Sequence, residues 1–306
     1  MSGRRRNKIL QRFPREVIYI CIIVLAALIV FVIKESRGYN IVEYYIGTDK
    51  DIEPFRFVMI SDLHDTDVSH DNNRGLLASI DGIAPDFVIL AGDMITSYKN
   101  KARDPQRAYD FLKNLAAAHT VYYGLGNHEQ RYMAEPDRYP GRFDRLKETA
   151  EKAGIHFLSD EYIRIGERRI GIYGFNIPIE NYKRAVTTHL APGILNDTFG
   201  AVNGDDFNIL IAHHPGFFEE YAGFGVDLVL AGHLHGGIVA IPGIGGVISP
   251  QLKLFPKYDF GKYDRNDTTM IVSRGIGWHS IPVRIFNKAE IVSITVGPKR
   301  GIQNGN

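Results

Sequence analysis

Eight side chains with the chemistry to hold or serve a cation stand just after five short apolar runs of this chain. Run 55–61 leads to Asp62 and His64, run 86–92 to Asp93, and run 121–126 to Asn127 and His128. Run 207–212 leads to His213, and run 226–232 to His233 and His235. The order is always run first, then polar residue. A strand buried on both faces reads as a short continuous apolar run, and ligand sites of α/β proteins collect where strands leave the sheet at their carboxyl ends. The spacing therefore predicts one functional edge of a sheet.

The residue types narrow the chemistry. Asp62 and His64 are two apart, so a strand persisting through them would point both to one face. Asp93 follows Gly92, where backbone can approach closely, and its two carboxylate oxygens suit a ligand shared by two ions about 3.5–4 Å apart. Asn127 adds a neutral oxygen, and His213, His233 and His235 add imidazoles. This mixture of nitrogen and oxygen donors favours Mn, Fe or Zn over Ca or Mg.

The elements that must position these groups follow from pattern. Strands are expected at 55–61, 86–91 and 120–125, alternating with helices near 72–82, 105–118 and 141–153, which is a βαβ opening. Shorter strands follow near 155–158, 161–165 and 169–175, then the ligand-bearing strands at 207–212 and 226–230, and closing strands near 268–274, 283–287 and 290–296. That is too many strands for one open sheet with so few helices. The expected fold is α/β, with two packed mixed β-sheets flanked by helices, in one domain over 55–296 followed by a tail at 297–306.

With 306 residues and 44% hydrophobic content the chain can bury a full core. Its formal charge of +1 hides a division, because residues 1–38 carry eight Lys/Arg against two Asp/Glu, leaving 28 basic and 33 acidic residues in the body. A weakly acidic body lacks the footprint of a nucleic-acid binder, so no nucleic-acid partner is expected. Residues 17–33 are uninterrupted apolar sequence preceded by Arg4, Arg5, Arg6, Lys8, Arg12 and Arg15. We read this as a transmembrane anchor rather than a cleaved signal peptide, since the run is long for a signal and no small-x-small site follows Ile33. The basic tail at 1–16 then stays cytoplasmic and the body lies outside, at the cell membrane. Segment 34–54 reads as a partly β-prone linker reaching at most about 70 Å. Cys21, the only cysteine, falls inside the anchor, so no intramolecular disulfide forms.

Taken together, Asp62-Leu63-His64, Gly92-Asp93, Gly126-Asn127-His128-Glu129, His213 and Gly232-His233-Leu234-His235 resemble the motif series of the calcineurin-like metallophosphoesterase superfamily. The resemblance covers about 55–296. It extends to a membrane-associated bacterial branch through the anchor, the 273–277 segment and Pro282-Val283-Arg284. It implies a sandwich with helix, sheet, sheet and helix layers, and a hydrolase acting on phosphomonoesters or phosphodiesters of the envelope or of lipid-linked substrates. It further implies one metal on Asp62, His64, Asp93 and His235 and another on Asp93, Asn127, His213 and His233, with a metal-bound hydroxide as nucleophile. His128 is then the histidine that touches phosphate oxygens or protonates the leaving group.

One position departs from the pattern. Thr96 stands where relatives place a second acid beside that histidine, which predicts a less readily protonated His128 unless Glu129 substitutes. The departure keeps a rival open, a metal-binding sensor domain with weak or no turnover. A di-iron redox protein is a third reading, weakened because neither D-x-H nor G-D carries a tyrosine. His214 is expected to support rather than join the cluster, and Asp65, Asp67 and His70 to belong to a solvated loop. His119, His156 and His189 are read as ordinary, and Trp278 and His279, on a Gly-rich segment, either touch substrate or belong to a packed loop and stand outside the catalytic set. The apolar, Gly/Pro-rich stretch 238–255 is read as a hairpin covering the site, with a lipid-facing lip as the alternative.

Overall fold

The computed structural model describes residues 15–97, 104–183, 186–237, 240–241, 245–246, 256–278 and 284–299. In chain order its elements are α1 (Arg15–Glu35), β1 (Tyr39–Thr48), β2 (Phe55–Ile60), α2 (Arg74–Ile83), β3 (Phe87–Ala91), α3 (Gln106–Ala116), β4 (Val121–Gly124), α4 (Asn127–Ala134) and α5 (Arg142–Lys152). There follow β5 (His156–Leu158), β6 (Glu161–Ile165), β7 (Ile170–Gly174), α6 (Ile194–Phe199), β8 (Phe207–Ile211), α7 (Phe218–Phe224) and β9 (Leu228–Ala231). The chain ends with β10 (Ala240–Ile241), β11 (Gly245–Gly246), β12 (Gly261–Arg265), β13 (Thr268–Val272) and β14 (Ala289–Pro298).

Two six-stranded mixed sheets form, one in the order β1-β14-β2-β3-β4-β5 and the other β12-β13-β9-β8-β7-β6. Alternation along β2 shows how they stack. Phe57 and Met59 point into the apolar layer between the sheets with Ile209, Ile211, Leu228 and Leu230, whereas Val58 and Ile60 face Leu76, Ile80, Phe111 and Leu115 of α2 and α3. On the second sheet Leu210 and Val229 turn outward against Phe218 and Tyr221 of α7. Three apolar layers thus separate four layers of secondary structure, the α/β sandwich expected. Because β2, β3, β8 and β9 are covered on both faces, apolar side chains occupy consecutive positions instead of alternate ones.

Two expectations change. Segment 34–54 is not wholly a linker, because Tyr39–Thr48 pairs in parallel with β14 along its full length, from Tyr39 opposite Ala289 to Thr48 opposite Pro298. This is an edge strand with a mixed exposed and half-buried pattern, which accounts for its weak apolar signal. Near the carboxyl end, 283–287 forms no strand among its described residues, and Ile285 makes a single bridge whose carbonyl accepts from the Ala240 N–H. The strand β14 continues past 296 to Pro298, and most of the expected tail lies outside the described residues. Among the described residues one helix, Glu16–Glu35, is long and apolar enough to cross a membrane, and none of it packs in the core.

Candidate metal centre

All eight singled-out residues stand at one edge, past the carboxyl ends of β2, β3, β4, β8 and β9, and the side chains of seven of them cluster there. The side-chain donors of Asp62, His64 and His235 lie within 4.8 Å of one another, as do those of His64, Asp93 and His128 and those of Asp93, His213 and His233. His64 joins the first group to the second and Asp93 the second to the third, so they form one continuous cluster. Asn127 opens α4 between Gly126 and His128, and the His128 N–H donates to Asp93 Oδ1 at 2.8 Å.

The way they converge differs from the sequence expectation. Strand β2 stops at Ile60, so Asp62 and His64 do not share a face by strand alternation. Instead Asp62, His64, Asp93, His233 and His235 all take left-handed backbone, with φ of 57°, 51°, 55°, 70° and 51°. Such φ values are uncommon outside glycine and are found at functional sites where the surroundings enforce them. The enforcement is visible: Asp62 N donates to Gly92 O, His64 N to Asp93 O and Gly232 N to His213 O, each at 3.0 Å. Two glycines make the approach feasible. A Cβ on Gly92, at φ +89°, would lie 2.6 Å from His213 Nδ1, and one on Gly232 would collide with Ser61 Oγ and Asp62 Oδ2.

Polar partners orient each donor. His213 Nδ1 faces the Ala91 carbonyl at 2.7 Å, which leaves Nε2 aimed at Asp93 Oδ2, 3.2 Å away. His64 and His235 stack with their Nε2 atoms 3.0 Å apart, and His235 Nε2 lies 3.2 Å from Asp62 Oδ1. Asp62 is further held by Ser61 Oγ and by the His233 N–H. Burial alone would raise the carboxyl pKa of Asp62, but His235 and His213 hold it well below the ordinary value. Asp93 is likewise held low by His213 and His128 against the effect of burial. Burial lowers the His213 pKa, yet Asp93 and Asp62 outweigh it and push it up to about 10. The arrangement calls for positive charge, supplied by a proton or by a cation. Asn127 Oδ1 is buried without a hydrogen-bond partner among the described residues, which fits a donor meant for an ion.

Glu129 does not pair with His128. Its carboxylate accepts from the N–H groups of Asp93, Ile95 and Gly126 and from Tyr123 OH, so it braces the two ligand loops against each other. Thr96 lies against His64 Nδ1 at 3.4 Å, and it is Ser97 that stands at His128. The Ser97 N–H donates to His128 Nδ1 at 2.9 Å, with Ser97 Oγ at 2.7 Å. A backbone N–H can only donate, so Nδ1 is the unprotonated nitrogen and Nε2 carries the hydrogen of neutral His128.

His214 packs beside the cluster, its ring centroid 4.8 Å from that of His233, and its Nδ1 accepts from Gly216 N–H. Asp65 is buried rather than solvated and accepts from Ala108 N–H, and Asp67 organises the turn at Asp71, Asn72 and Asn73. Sequence reasoning missed Tyr182, a buried ring 5.0 Å from that of His233, which sits in a region without periodic signal. It also missed the job of Arg284, which donates to the carbonyls of Arg274, Gly275, Gly277 and Asn287, and of Asn287, which donates to those of His235 and Gly237. Trp278 N–H donates to Thr66 Oγ1, and His279 lies outside the described residues.

Comparison with known proteins agrees with this geometry. The sequence profile of the calcineurin-like phosphoesterases matches residues 55–237. A metallophosphoesterase of uncharacterised function from Helicobacter pylori is 26% identical over 264 residues, covering 85% of this chain and 64% of that protein. A Danio rerio transmembrane protein with a metallophosphoesterase domain is 24% identical over 294 residues, covering 90% of this chain and 62% of the relative. The chain thus spans somewhat under two thirds of the length of these relatives. Among solved structures, a dimetal phosphatase from Danio rerio aligns with a TM-score of 0.41 and 12% identity, over 75% of this chain and 90% of that one. With the motif-bearing half of the sequence matched and the donors gathered at one edge, the chain belongs to the calcineurin-like phosphoesterases.

Proposed function

We propose that this protein is a membrane-anchored phosphoesterase that works with two divalent ions on a phosphomonoester or phosphodiester of the envelope, including lipid-linked ones. Asp62, His64, Asp93 and His235 would hold one ion, and Asp93, Asn127, His213 and His233 the other. The observation that carries the pairing is Asp93. One of its oxygens is fixed by the His128 N–H, and the other sits between His213 Nε2 at 3.2 Å and His64 Nε2 at 3.9 Å. When bound, two such ions hold and polarise the phosphate and lower the pKa of an attacking water. The N and O donor set suits Mn, Fe or Zn.

The chain's own groups do the rest. His128, with Nδ1 committed to Ser97, presents its Nε2–H to a phosphate oxygen or to the departing alkoxide. Glu129 keeps the Asp93 and Gly126 backbones at fixed separation, and α4 aims its amino-terminal N–H groups toward the anionic site. The basic residues before the apolar run support a reading with the amino terminus in the cytoplasm and the catalytic body on the outer face.

Turnover of a chromogenic bis-phosphoester by the full chain with Mn tests the reading. We expect hydrolysis that Asn127→Ala reduces to background. A domain that only senses metal would bind Mn with equal affinity in calorimetry and hydrolyse nothing.

A further inference from the structure

The membrane helix is clasped to the loop that supports the metal centre. Side chains of residues 16–30 are exposed, whereas Phe31, Val32 and Glu35 are half-buried and Ser36 is buried. Ser36 Oγ accepts from the Arg284 N–H at 2.9 Å, and the Phe31 ring lies 5.1 Å from that of Phe286. Strand topology gives the same placement independently. The start of β1, Tyr39, lies opposite Ala289, and β14 runs antiparallel to β2 with Val292 opposite Met59, so the anchor leaves the body at the edge where β2 delivers Asp62.

Length then fixes depth. The apolar run 17–33 spans only about 25 Å as a helix, short for a hydrocarbon core of about 30 Å, so Phe31 cannot be spared from the bilayer. Phe286, its ring packed at a tilt against Phe31 and 52% exposed, is carried to the headgroup boundary with it. Ile241, 40% exposed, is tied to the same loop through the Ala240–Ile285 bridge, and exposed Lys34 and Arg37 flank the helix end. This is the mixture of apolar and cationic groups that suits an anionic lipid surface. From this loop to the metal edge is one step, since Asn287 holds the His235 and Gly237 carbonyls and Arg284 those of Gly275 and Gly277.

We infer that the 284–287 loop and Ile241 beside it form a lipid-docking surface that holds the metal edge against the headgroup plane. The phosphoester hydrolysed is therefore one borne at the membrane surface. The class of substrate rests on the hydrolase reading above; the orientation does not.

Single cysteines placed in a Cys21→Ser background of the full chain test the orientation. The protein is reconstituted in phosphatidylcholine vesicles containing phosphatidylglycerol and a lipid with a nitroxide headgroup. A fluorophore at Phe286→Cys, and independently at Ile241→Cys, should lose most of its emission. One at Asp51→Cys, beyond the far end of the 10-residue β1 and roughly 30 Å away, should keep it. Labels at 286 and 241 as bright as that at 51, in protein that still hydrolyses the soluble chromogenic ester, would overturn the inference and leave the hydrolase reading intact. Quenched labels in protein without turnover would do the reverse.

Discussion

The two ends of the sheets treat their acids in opposite ways. Where β3, β8 and β9 begin, each carboxylate has a built-in cation: Arg168 for Asp86 at 2.8 Å, the Arg164 guanidinium for Asp206, and Lys50 for Asp227 at 2.7 Å. Where the strands end, the direct ion pairs of Asp62 and Asp93 among the described residues are all with histidine. Arg and Lys hold their charge at any working pH, but an imidazole can yield its proton to an arriving ion. One end is self-neutralised and serves stability. The other leaves its counter-charge exchangeable, which is what a metal centre requires.

Substitutions that remove the exchangeable end should cost most. Asp93→Asn keeps shape but removes the shared charge, and we expect activity at background with metal affinity reduced by about 100-fold or more, read by calorimetry. His128→Asn should lower kcat by about 10²- to 10⁴-fold with Mn affinity unchanged. Ser97→Ala removes the hydroxyl at His128 Nδ1 but keeps the backbone N–H that fixes the imidazole tautomer, so turnover should fall by no more than about tenfold. Ser97→Asp should move the alkaline limb of the pH–rate profile to higher pH by returning an acid to His128.

Proton uptake separates the two ends further. The folded His213 pKa of about 10 exceeds the usual 6.5, so in metal-free protein its proton stabilises the fold fully below pH 6.5 and that contribution fades toward pH 10. Ion binding at pH 8 should therefore release about one proton, measured in buffers of different ionisation enthalpy, and should flatten the alkaline fall in Tm. At the self-neutralised end the smallest change is expected. Arg164 holds the Asp206 carboxyl below its usual pKa, so its stabilisation is present above about pH 4 and fades as pH falls further. Asp206→Asn should lower stability by about 1 kcal/mol, because Arg164 is 43% exposed, and leave turnover within about twofold.

Much of this was legible in the residues. Strands covered on both faces must be apolar throughout, so β2, β3, β8 and β9 stood out, and polar residues at their ends could only be deliberate. The edge strand β1 was obscured because one side faces solvent, and a segment such as Tyr39–Thr48 then resembles a tether. Backbone sign was hidden too: nothing in Asp62-Leu63-His64 announces two residues at positive φ. Nor could residue spacing disclose that Ser97, one position beyond Thr96, stands at His128, because that depends on how the 93–97 loop turns.

The left-handed ligands govern how the centre can be altered. Asn, Asp and His are the residues that settle most readily at such φ, whereas β-branched side chains are outliers there. An Asn replacement at 62, 64, 93, 233 or 235 therefore removes a donor while the chain keeps its path. Val or Ile at the same places would disturb the loop before any question of ion affinity arose, and drift among descendants of this sequence should be confined accordingly.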